Sequence, residues 1–179
     1  MILYISDTHF GHRNIINHDH RPFADSDEMD RAMIKFWNGR VSNDDDVYIV
    51  GDLIYRSSKD PVWYLRQLKG RKHLITGNHD GVIINDPKAV KYFVDINQIL
   101  TVTDGDKRIV LCHYPLAEWD GYFHDAWHVY GHIHNNTNTS YSFMKTQGKA
   151  LNAAACINNY TPASFNELVT NNTVFKESH

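Results

Sequence analysis

Groups of Asp, Asn and His recur directly after short apolar runs of the sequence. They are Ser6-Asp7-Thr8-His9, Gly51-Asp52, Gly77-Asn78-His79-Asp80, Cys112-His113 and Gly131-His132-Ile133-His134. Carboxylate, amide oxygen and imidazole together match the ligands of a borderline divalent cation such as manganese, iron, zinc or cobalt. They suit neither an all-oxygen calcium site nor a structural zinc site built from thiolates. The pattern therefore indicates metal-dependent chemistry.

The apolar runs before these groups predict buried strands. They cover residues 2–5, 47–50, 73–75, 109–111, 128–130 and 151–157, and their β-branched content favours strands over helices. In open α/β sheets, ligands gather beyond the carboxyl ends of the strands, so the polar groups are expected to converge on one crevice. Glycines precede Asp52, Asn78 and His132, where a missing Cβ lets the chain turn sharply toward a common centre.

Helix and turn signals lie between the predicted strands. Apolar residues at helical spacing predict a helix over residues 27–38, and Asp-Pro pairs at 60–61 and 86–87 predict two further helix starts. Asp104-Gly105 predicts a hairpin, and the polar segment 135–142 a surface loop. Strands that first alternate with helices and then form hairpins predict an α/β fold with mixed sheets.

Length and composition predict one domain over residues 1–179. A chain of 179 residues with 42% hydrophobic residues can bury one good core, but hardly two. The formal net charge of −3 gives no global positive field to attract nucleic acid or an anionic membrane. No leader or membrane-spanning run is seen, and Cys112 and Cys156 lie in apolar segments, as reduced thiols do. We therefore expect a cytoplasmic protein.

The five polar groups, in this order, resemble the successive motifs of the calcineurin-like metallophosphoesterase family. The resemblance implies a four-layer α/β/β/α sandwich of two mixed sheets flanked by helices. It also implies two divalent metal ions, drawn from manganese, iron, zinc, cobalt and nickel, with manganese favoured. One metal would be held by Asp7, His9 and His134, the other by Asn78, His113 and His132, and both by a bridging Asp52.

The resemblance also implies a reaction. A hydroxide that bridges the metals would attack a phosphate ester in line. His79 would protonate the leaving oxygen as the general acid, and Asp80 would orient its imidazole. The expected substrate is a small phosphomonoester or phosphodiester, including a nucleotide or a short oligonucleotide.

Three basic residues are candidates for binding substrate. His12 and Arg21 belong to a polar segment that resembles the family's small bacterial and phage members, and the alternative for this segment is a solvated loop. Arg56 follows Asp52 by four residues, as a phosphate-binding arginine does in calcineurin and its closest relatives, although Tyr55 here replaces their preceding aspartate. Tyr55 itself is assigned to packing.

The sequence also allows three other interpretations. His18-Asp19-His20 matches only part of a metallo-β-lactamase-like site and is interpreted as a surface loop. A catalytically inactive, protein-binding scaffold of the same fold is the main alternative function, but all seven ligands and His79 are present. A nucleic-acid repair nuclease usually carries a basic groove or an added DNA-binding domain, and neither is visible at this length and charge.

Substrate size and charge can also be anticipated. With no cap domain, the crevice is expected to be open and to favour diesters, with Arg21, Trp119 and Tyr122 accepting a second ester arm. If Arg21 and Arg56 both faced the metals, monoesters would be favoured instead.

Overall fold

Eight strands form two four-stranded sheets in the computed structural model, which describes all 179 residues. In chain order they are β1 (Ile2–Ile5), β2 (Asp46–Ile49), β3 (Arg71–Ile75), β4 (Phe93–Asn97), β5 (Ile99–Asp104), β6 (Lys107–Cys112), β7 (Trp127–Tyr130) and β8 (Ala150–Asn152). The strand order is β1-β2-β3-β4 in the first sheet and β5-β6-β7-β8 in the second. The predicted α/β class with two sheets is confirmed.

The two sheets differ in strand direction. All pairs in the first sheet are parallel, whereas the second sheet is mixed because β5 runs antiparallel to β6. Only β5 and β6 are joined by a tight turn, the predicted hairpin, with Gly105 at φ +63°. Longer crossovers join the parallel strands and bring their carboxyl ends to the same edge. The first sheet is therefore parallel rather than mixed.

Six helices accompany the strands. They are α1 (Arg13–His18), α2 (Ser26–Arg40), α3 (Pro61–Leu65), α4 (Gly81–Ile84), α5 (Thr139–Thr146) and α6 (Phe165–Ser178). The carboxylate of Asp25 accepts a hydrogen bond from the N–H of Glu28 and so caps α2, and Asp60 caps α3 in the same way. Both helix starts agree with the sequence signals.

Three local predictions were wrong. The Asp-Pro pair at 86–87 is followed by a short 3₁₀ turn (Val90–Tyr92) and then β4, not by an α-helix. The segment predicted as a loop at 135–142 contains the start of α5, which Asn138 caps. The predicted strand at 151–157 ends at Asn152, because Ala154 turns away to bridge Ser6.

The buried apolar residues form three clusters that correspond to the spaces between layers. The first joins α2 to the outer face of the first sheet, with Met29, Met33 and Trp37 against strand residues. The second lies between the two sheets, and the third joins α5 to the outer face of the second sheet. The layers are thus helix, sheet, sheet and helix. None of the helices combines the length and the hydropathy needed to cross a membrane.

Candidate metal centre

The seven predicted metal ligands meet in one crevice at the carboxyl ends of five strands. Asp7 and His9 follow β1, Asp52 follows β2, Asn78 follows β3, His113 follows β6, and His132 and His134 follow β7. These strands belong to both sheets, so the crevice lies where the two sheets face each other. The convergence expected from the sequence is therefore present in the structure.

The first donor group consists of Asp7, His9 and His134. The Nε2 atom of His134 lies 3.4 Å from Oδ1 of Asp7 and 3.2 Å from Nε2 of His9. All three side chains are buried, and their donor atoms are close enough to share one cation. Nε2 of His9 also lies 3.6 Å from Oδ2 of Asp52, which connects this group to the second.

The second donor group consists of Asn78, His113 and His132. Oδ1 of Asn78 lies 3.1 Å from Nε2 of His113 and 3.0 Å from Nδ1 of His132. Nε2 of His113 is also 3.5 Å from Oδ2 of Asp52. The same carboxylate oxygen of Asp52 therefore lies between the two donor groups.

The hydrogen bonds of His113 test whether this arrangement fits a metal. Its Nδ1 atom lies 2.9 Å from the carbonyl oxygen of Val50, which can only accept, so Nδ1 carries the hydrogen. In the neutral ring, Nε2 then presents a lone pair toward Asp52 Oδ2 and Asn78 Oδ1, which are acceptors as well. Three acceptors converging in a crevice are stabilised by a cation among them. The residues present therefore fit a divalent metal.

The electrostatics of the crevice also favour a bound cation. Burial raises the pKa of Asp52 to about 6, and the nearby Asp7 carboxylate adds to the rise while His113 opposes it. Burial likewise lowers the pKa of His9 far below its usual range, so this ring is neutral and keeps a free lone pair. A divalent cation bound there would compensate the buried carboxylates and accept that lone pair.

Hydrogen bonds from neighbouring residues orient the two carboxylates. Oδ1 of Asp52 accepts from the N–H of His79 at 2.9 Å, which leaves Oδ2 directed to the donor groups. Oδ2 of Asp7 accepts from the hydroxyl of Ser6 at 2.6 Å and from the N–H of His132 at 3.0 Å. Each carboxylate is therefore fixed by backbone or side-chain groups of an adjoining ligand segment.

The backbone of the ligand segments is unusual, because five of the seven predicted ligands have positive φ. They are Asp7 (+53°), His9 (+50°), Asp52 (+56°), His132 (+70°) and His134 (+52°). Residues with a Cβ rarely adopt this left-handed conformation, and it costs on the order of 1–3 kcal/mol each at functional sites. The turns that aim these side chains inward are made by the ligands themselves.

Two of the three glycines before the predicted ligands serve a different purpose from the predicted one. Gly51 does adopt a left-handed turn, at φ +87°. At Gly77, however, a Cβ would lie 2.3 Å from Oδ1 of Asp52, and at Gly131 it would lie 2.5 Å from Oδ2 of Asp7. Both positions need glycine because a carboxylate ligand packs directly against the backbone.

His79 lies at the edge of the crevice. Its ring centroid is 3.8 Å from that of Tyr55, and its Nε2 is 4.0 Å from Oδ2 of Asp52. Its side chain is 30% exposed, so it can meet a substrate. Burial lowers the pKa of His79, and a negative charge beside the ring, such as a phosphoryl oxygen, would favour its protonated form.

Asp80 does not orient His79, so this part of the prediction was wrong. The Asp80 carboxylate is fully buried and accepts from three backbone N–H groups. Oδ2 binds those of Asp52 (2.9 Å) and Gly77 (2.8 Å), and Oδ1 binds that of Leu53 (3.0 Å). Both oxygens are used in this way, and neither bonds to His79. Asp80 instead joins the ligand segments after β2 and β3.

Arg21 is not available to substrate either. Its side chain is fully buried, and it binds the Asp19 carboxylate through Nε at 3.1 Å and Nη2 at 2.8 Å. The same guanidinium donates to the carbonyl oxygens of Asp7 and Thr8, both at the first ligand segment. Arg21 therefore stabilises the first ligand segment, because its planar guanidinium matches the geometry of these acceptors.

Asp19 is a site residue that the sequence analysis missed. The segment around it was predicted to be a surface loop, but Asp19 is buried and its carboxylate contacts Nδ1 of His134 at 2.9 Å. The hydrogen bonds from His134 and the charge of Arg21 overcome the effect of burial and lower the pKa of Asp19. The available signal was a carboxylate two residues from an arginine, just after the apolar pair Ile15 and Ile16.

A cavity of about 320 Å³ adjoins the first donor group. We call it the polar cavity, and its lining consists of His9, His12, Asn14, Ile15, His18, Tyr55, Arg56, His79 and His134. Arg56 is exposed, and its guanidinium lies 5.0 Å from the centre of the Tyr55 ring. Nδ1 of His12 is buried and has no hydrogen-bond partner in the chain. Of the three basic candidates, His12 and Arg56 therefore face this cavity and Arg21 does not.

Two aromatic residues expected beside substrate also lie elsewhere. The Trp119 ring is buried, and its N–H donates to the carbonyl oxygen of Ala126. The Tyr122 hydroxyl lies 2.8 Å from Oε1 of Gln147. Both residues stabilise the segment between β6 and β7 instead of lining the crevice.

Comparisons with known proteins agree with this architecture. The chain is 34% identical over 170 residues to a Methanocaldococcus jannaschii protein named MJ1445, which covers 94% of this chain and 89% of that protein. It matches the gene 66 protein of Mycobacterium phage L5 at 39% identity over 82 residues, which is 44% of this chain and 39% of the phage protein.

A solved structure and a family profile extend the comparison. The crystal structure of the Aquifex aeolicus protein AQ665, described as of unknown function, superposes with a TM-score of 0.73 at 29% identity, covering 95% of this chain and 98% of that one. The sequence profile described as calcineurin-like phosphoesterase matches residues 1–152. The chain therefore belongs to the calcineurin-like phosphoesterase family and is a hydrolase that acts on phosphate ester bonds.

Proposed function

We propose that this protein is a dinuclear metal-dependent phosphoesterase that prefers phosphodiesters to phosphomonoesters. The observation that supports it best is the position of Asp52, whose Oδ2 lies 3.6 Å from Nε2 of His9 and 3.5 Å from Nε2 of His113. One carboxylate oxygen thus faces two separate groups of candidate metal ligands. A bridging ligand between two divalent cations requires this arrangement.

Asp7, His9 and His134 would hold one cation and Asn78, His113 and His132 the other, with Asp52 shared. When bound, the two cations supply Lewis acidity, a water of lowered pKa and positive charge for the phosphoryl oxygens. The protein fixes its ligands in advance, through the hydrogen bonds to Asp7, Asp52 and His134. Manganese is the metal we would test first.

His79 would donate a proton to the leaving oxygen. Its ring lies against the tilted ring of Tyr55, with the centroids 3.8 Å apart, and its own backbone N–H donates to Asp52. It borders the polar cavity, so the leaving arm of the ester would enter that cavity. General acid assistance of this kind is typically worth about 10²–10⁴-fold in rate.

The charges around the crevice favour a diester. Since Arg21 is buried against Asp19, Arg56 is the arginine that lines the polar cavity. A phosphomonoester carries a second negative charge that needs additional cationic groups, whereas a diester carries one. His12 and Arg56 would position the leaving arm without making the site specific for a dianion.

The proposal can be tested with purified protein loaded with manganese, cobalt or zinc. We expect metal-dependent hydrolysis of bis(p-nitrophenyl) phosphate, with a higher kcat/KM than for p-nitrophenyl phosphate under the same metal. A higher value for the monoester would refute the diester preference alone. Binding of two metals without hydrolysis of either ester would favour the inactive scaffold instead.

A further inference from the structure

A second cavity, of about 470 Å³, is lined by residues that neighbour the second donor group in the sequence. We call it the neutral cavity. Gly77 and Cys112 form part of its wall, and these residues directly precede the ligands Asn78 and His113. The cavity therefore opens beside the second donor group, whereas the polar cavity adjoins the first. Its volume is within the range of about 300–1,000 Å³ typical of small-molecule sites.

The chemistry of the neutral cavity differs from that of the polar cavity. No charged residue lines it, and the remaining lining is formed by Thr76, Gln98, Ile99, Tyr114 and Leu116. A charged group entering such a cavity would lose hydration without gaining an ionic partner. The neutral cavity is therefore suited to an uncharged arm of a substrate.

Tyr114 gives this cavity a flat aromatic surface next to the reaction centre. The residue is 45% exposed, and its ring centroid lies 4.7 Å from that of His132 and 5.2 Å from that of His113. A planar group stacked on Tyr114 would thus be adjacent to a phosphoryl group at the metals. Base–aromatic stacking is a common and sequence-tolerant means of holding nucleotides.

Gln98 adds a polar group to the same cavity. Its side-chain amide is exposed and forms no hydrogen bond within the chain, so it can both donate to and accept from a ligand. A purely apolar arm would leave this amide unused. A planar, uncharged heterocycle with polar edges uses both Tyr114 and Gln98.

We propose that the neutral cavity binds the nucleobase of a nucleotide diester and that this nucleoside is the arm retained after cleavage. This inference rests on the proposed function. The retained arm is assigned to the neutral cavity because His79, the proposed proton donor to the leaving oxygen, borders the polar cavity instead. The substrate class is therefore a nucleotide ester with its base on Tyr114 and a hydrophilic leaving group near Arg56.

Three esters that share the p-nitrophenolate leaving group test the proposal. In thymidine 5′-(p-nitrophenyl) phosphate, methyl p-nitrophenyl phosphate and phenyl p-nitrophenyl phosphate, only the retained arm differs. For Tyr114→Ala, we expect the ratio of kcat/KM for the thymidine ester to that for the methyl ester to fall about tenfold, a typical stacking loss. Phe143→Ala, an aromatic residue of equal exposure outside both cavities, should keep the wild-type ratio.

Gln98→Leu tests whether the neutral cavity recognises a nucleobase or accepts any flat apolar group. We expect it to lower kcat/KM for the thymidine ester relative to the phenyl ester by about five- to tenfold, the loss of one hydrogen bond. If the three esters are hydrolysed but Tyr114→Ala leaves the ratio of kcat/KM for the thymidine and methyl esters unchanged, the proposed subsite at Tyr114 is wrong. If only the Gln98→Leu effect is missing, the cavity takes flat apolar arms and the nucleobase assignment is wrong.

A binding measurement distinguishes failure of the subsite from failure of the proposed function. Calorimetry on metal-loaded protein compares thymidine 5′-monophosphate with methyl phosphate. We expect the nucleotide to bind more tightly to the wild type, and Tyr114→Ala to remove most of that advantage. Absence of ester hydrolysis refutes the proposed function. Equal affinity of the wild type for the two phosphates refutes the nucleobase subsite, whether or not the esters are hydrolysed.

Discussion

The Asp19 carboxylate binds Nδ1 of His134, whereas Nε2 of the same ring faces the other members of the first donor group. Nδ1 of His134 lies 3.0 Å from Oδ1 and 2.9 Å from Oδ2 of Asp19, while its Nε2 lies 3.4 Å from Asp7. A carboxylate that receives the Nδ1 hydrogen fixes the tautomer in which Nε2 is free to bind a cation. Arg21 binds the same carboxylate and the Asp7 carbonyl, so two ligands depend on one buried pair.

We therefore expect Asp19→Asn to weaken metal binding by about 10–100-fold, the usual effect of losing a carboxylate behind a histidine ligand. Calorimetric titration of the metal-free protein with manganese measures this change. Asp44→Asn, which alters an exposed carboxylate, should bind metal like the wild type. Equal manganese affinity in both variants would show that Asp19 does not position His134.

His79→Ala should retain both metals and lose turnover by about 10²–10⁴-fold on esters with a poor leaving group, because proton donation is removed. The loss should be smaller for p-nitrophenyl esters, since p-nitrophenolate leaves readily without a proton. Kinetics on a dinucleotide and on a p-nitrophenyl diester, together with metal analysis, measure these effects. His124→Ala is the control because this histidine is exposed on the segment between β6 and β7. Equal losses on both esters would contradict the general-acid role.

Asp80→Asn should destabilise the fold by about 1–3 kcal/mol, the cost of leaving a buried N–H without an acceptor. The amide has one acceptor oxygen in place of two, whereas three backbone N–H groups depend on this side chain. Urea denaturation of the metal-free protein gives the free energy of unfolding. Unchanged stability would contradict the role of the Asp80 carboxylate in joining the two ligand segments.

Gly77→Ala should reduce the content of both metals, because its Cβ would lie 2.3 Å from Oδ1 and 2.8 Å from the backbone N of Asp52. The bridging carboxylate would have to move. Elemental analysis after metal loading and gel filtration measures the effect. Gly39→Ala is the matched control, since nothing lies within 4 Å of its Cβ, and in a helix this change stabilises by about 0.5–1 kcal/mol. Two metals retained in Gly77→Ala would contradict the close packing of Asp52.

The strand ends and the convergence of their polar side chains could be predicted from the sequence because both depend on the local order of residues along the chain. Each ligand follows an apolar run by a few residues, and parallel strands bring such positions together. The half-buried strand Phe93–Asn97 was missed because its polar and apolar residues show no buried run. The helix Phe165–Ser178 had a usable signal, the Ser164 and Glu167 capping box.

The partners of the charged side chains could not be predicted in this way. Asp80 and Leu53 are 27 positions apart, and His134 and Asp19 are 115 apart. Such contacts depend on how separate ligand segments pack against each other. Asp80 and Arg21 were therefore recognised as part of the site, but their contacts were wrong.

The left-handed backbone at five of the seven predicted ligands means that residues needed for catalysis lower the stability of the metal-free fold. Glycine and asparagine adopt this conformation more readily than aspartate or histidine, so either residue at such a position should relieve strain in the metal-free chain. In a relative that no longer hydrolyses esters, each substitution of such a ligand by glycine or asparagine would then make the protein more stable. The fold can therefore persist after catalysis is lost, and we expect metal-free His134→Asn to unfold at a higher temperature than the metal-free parent.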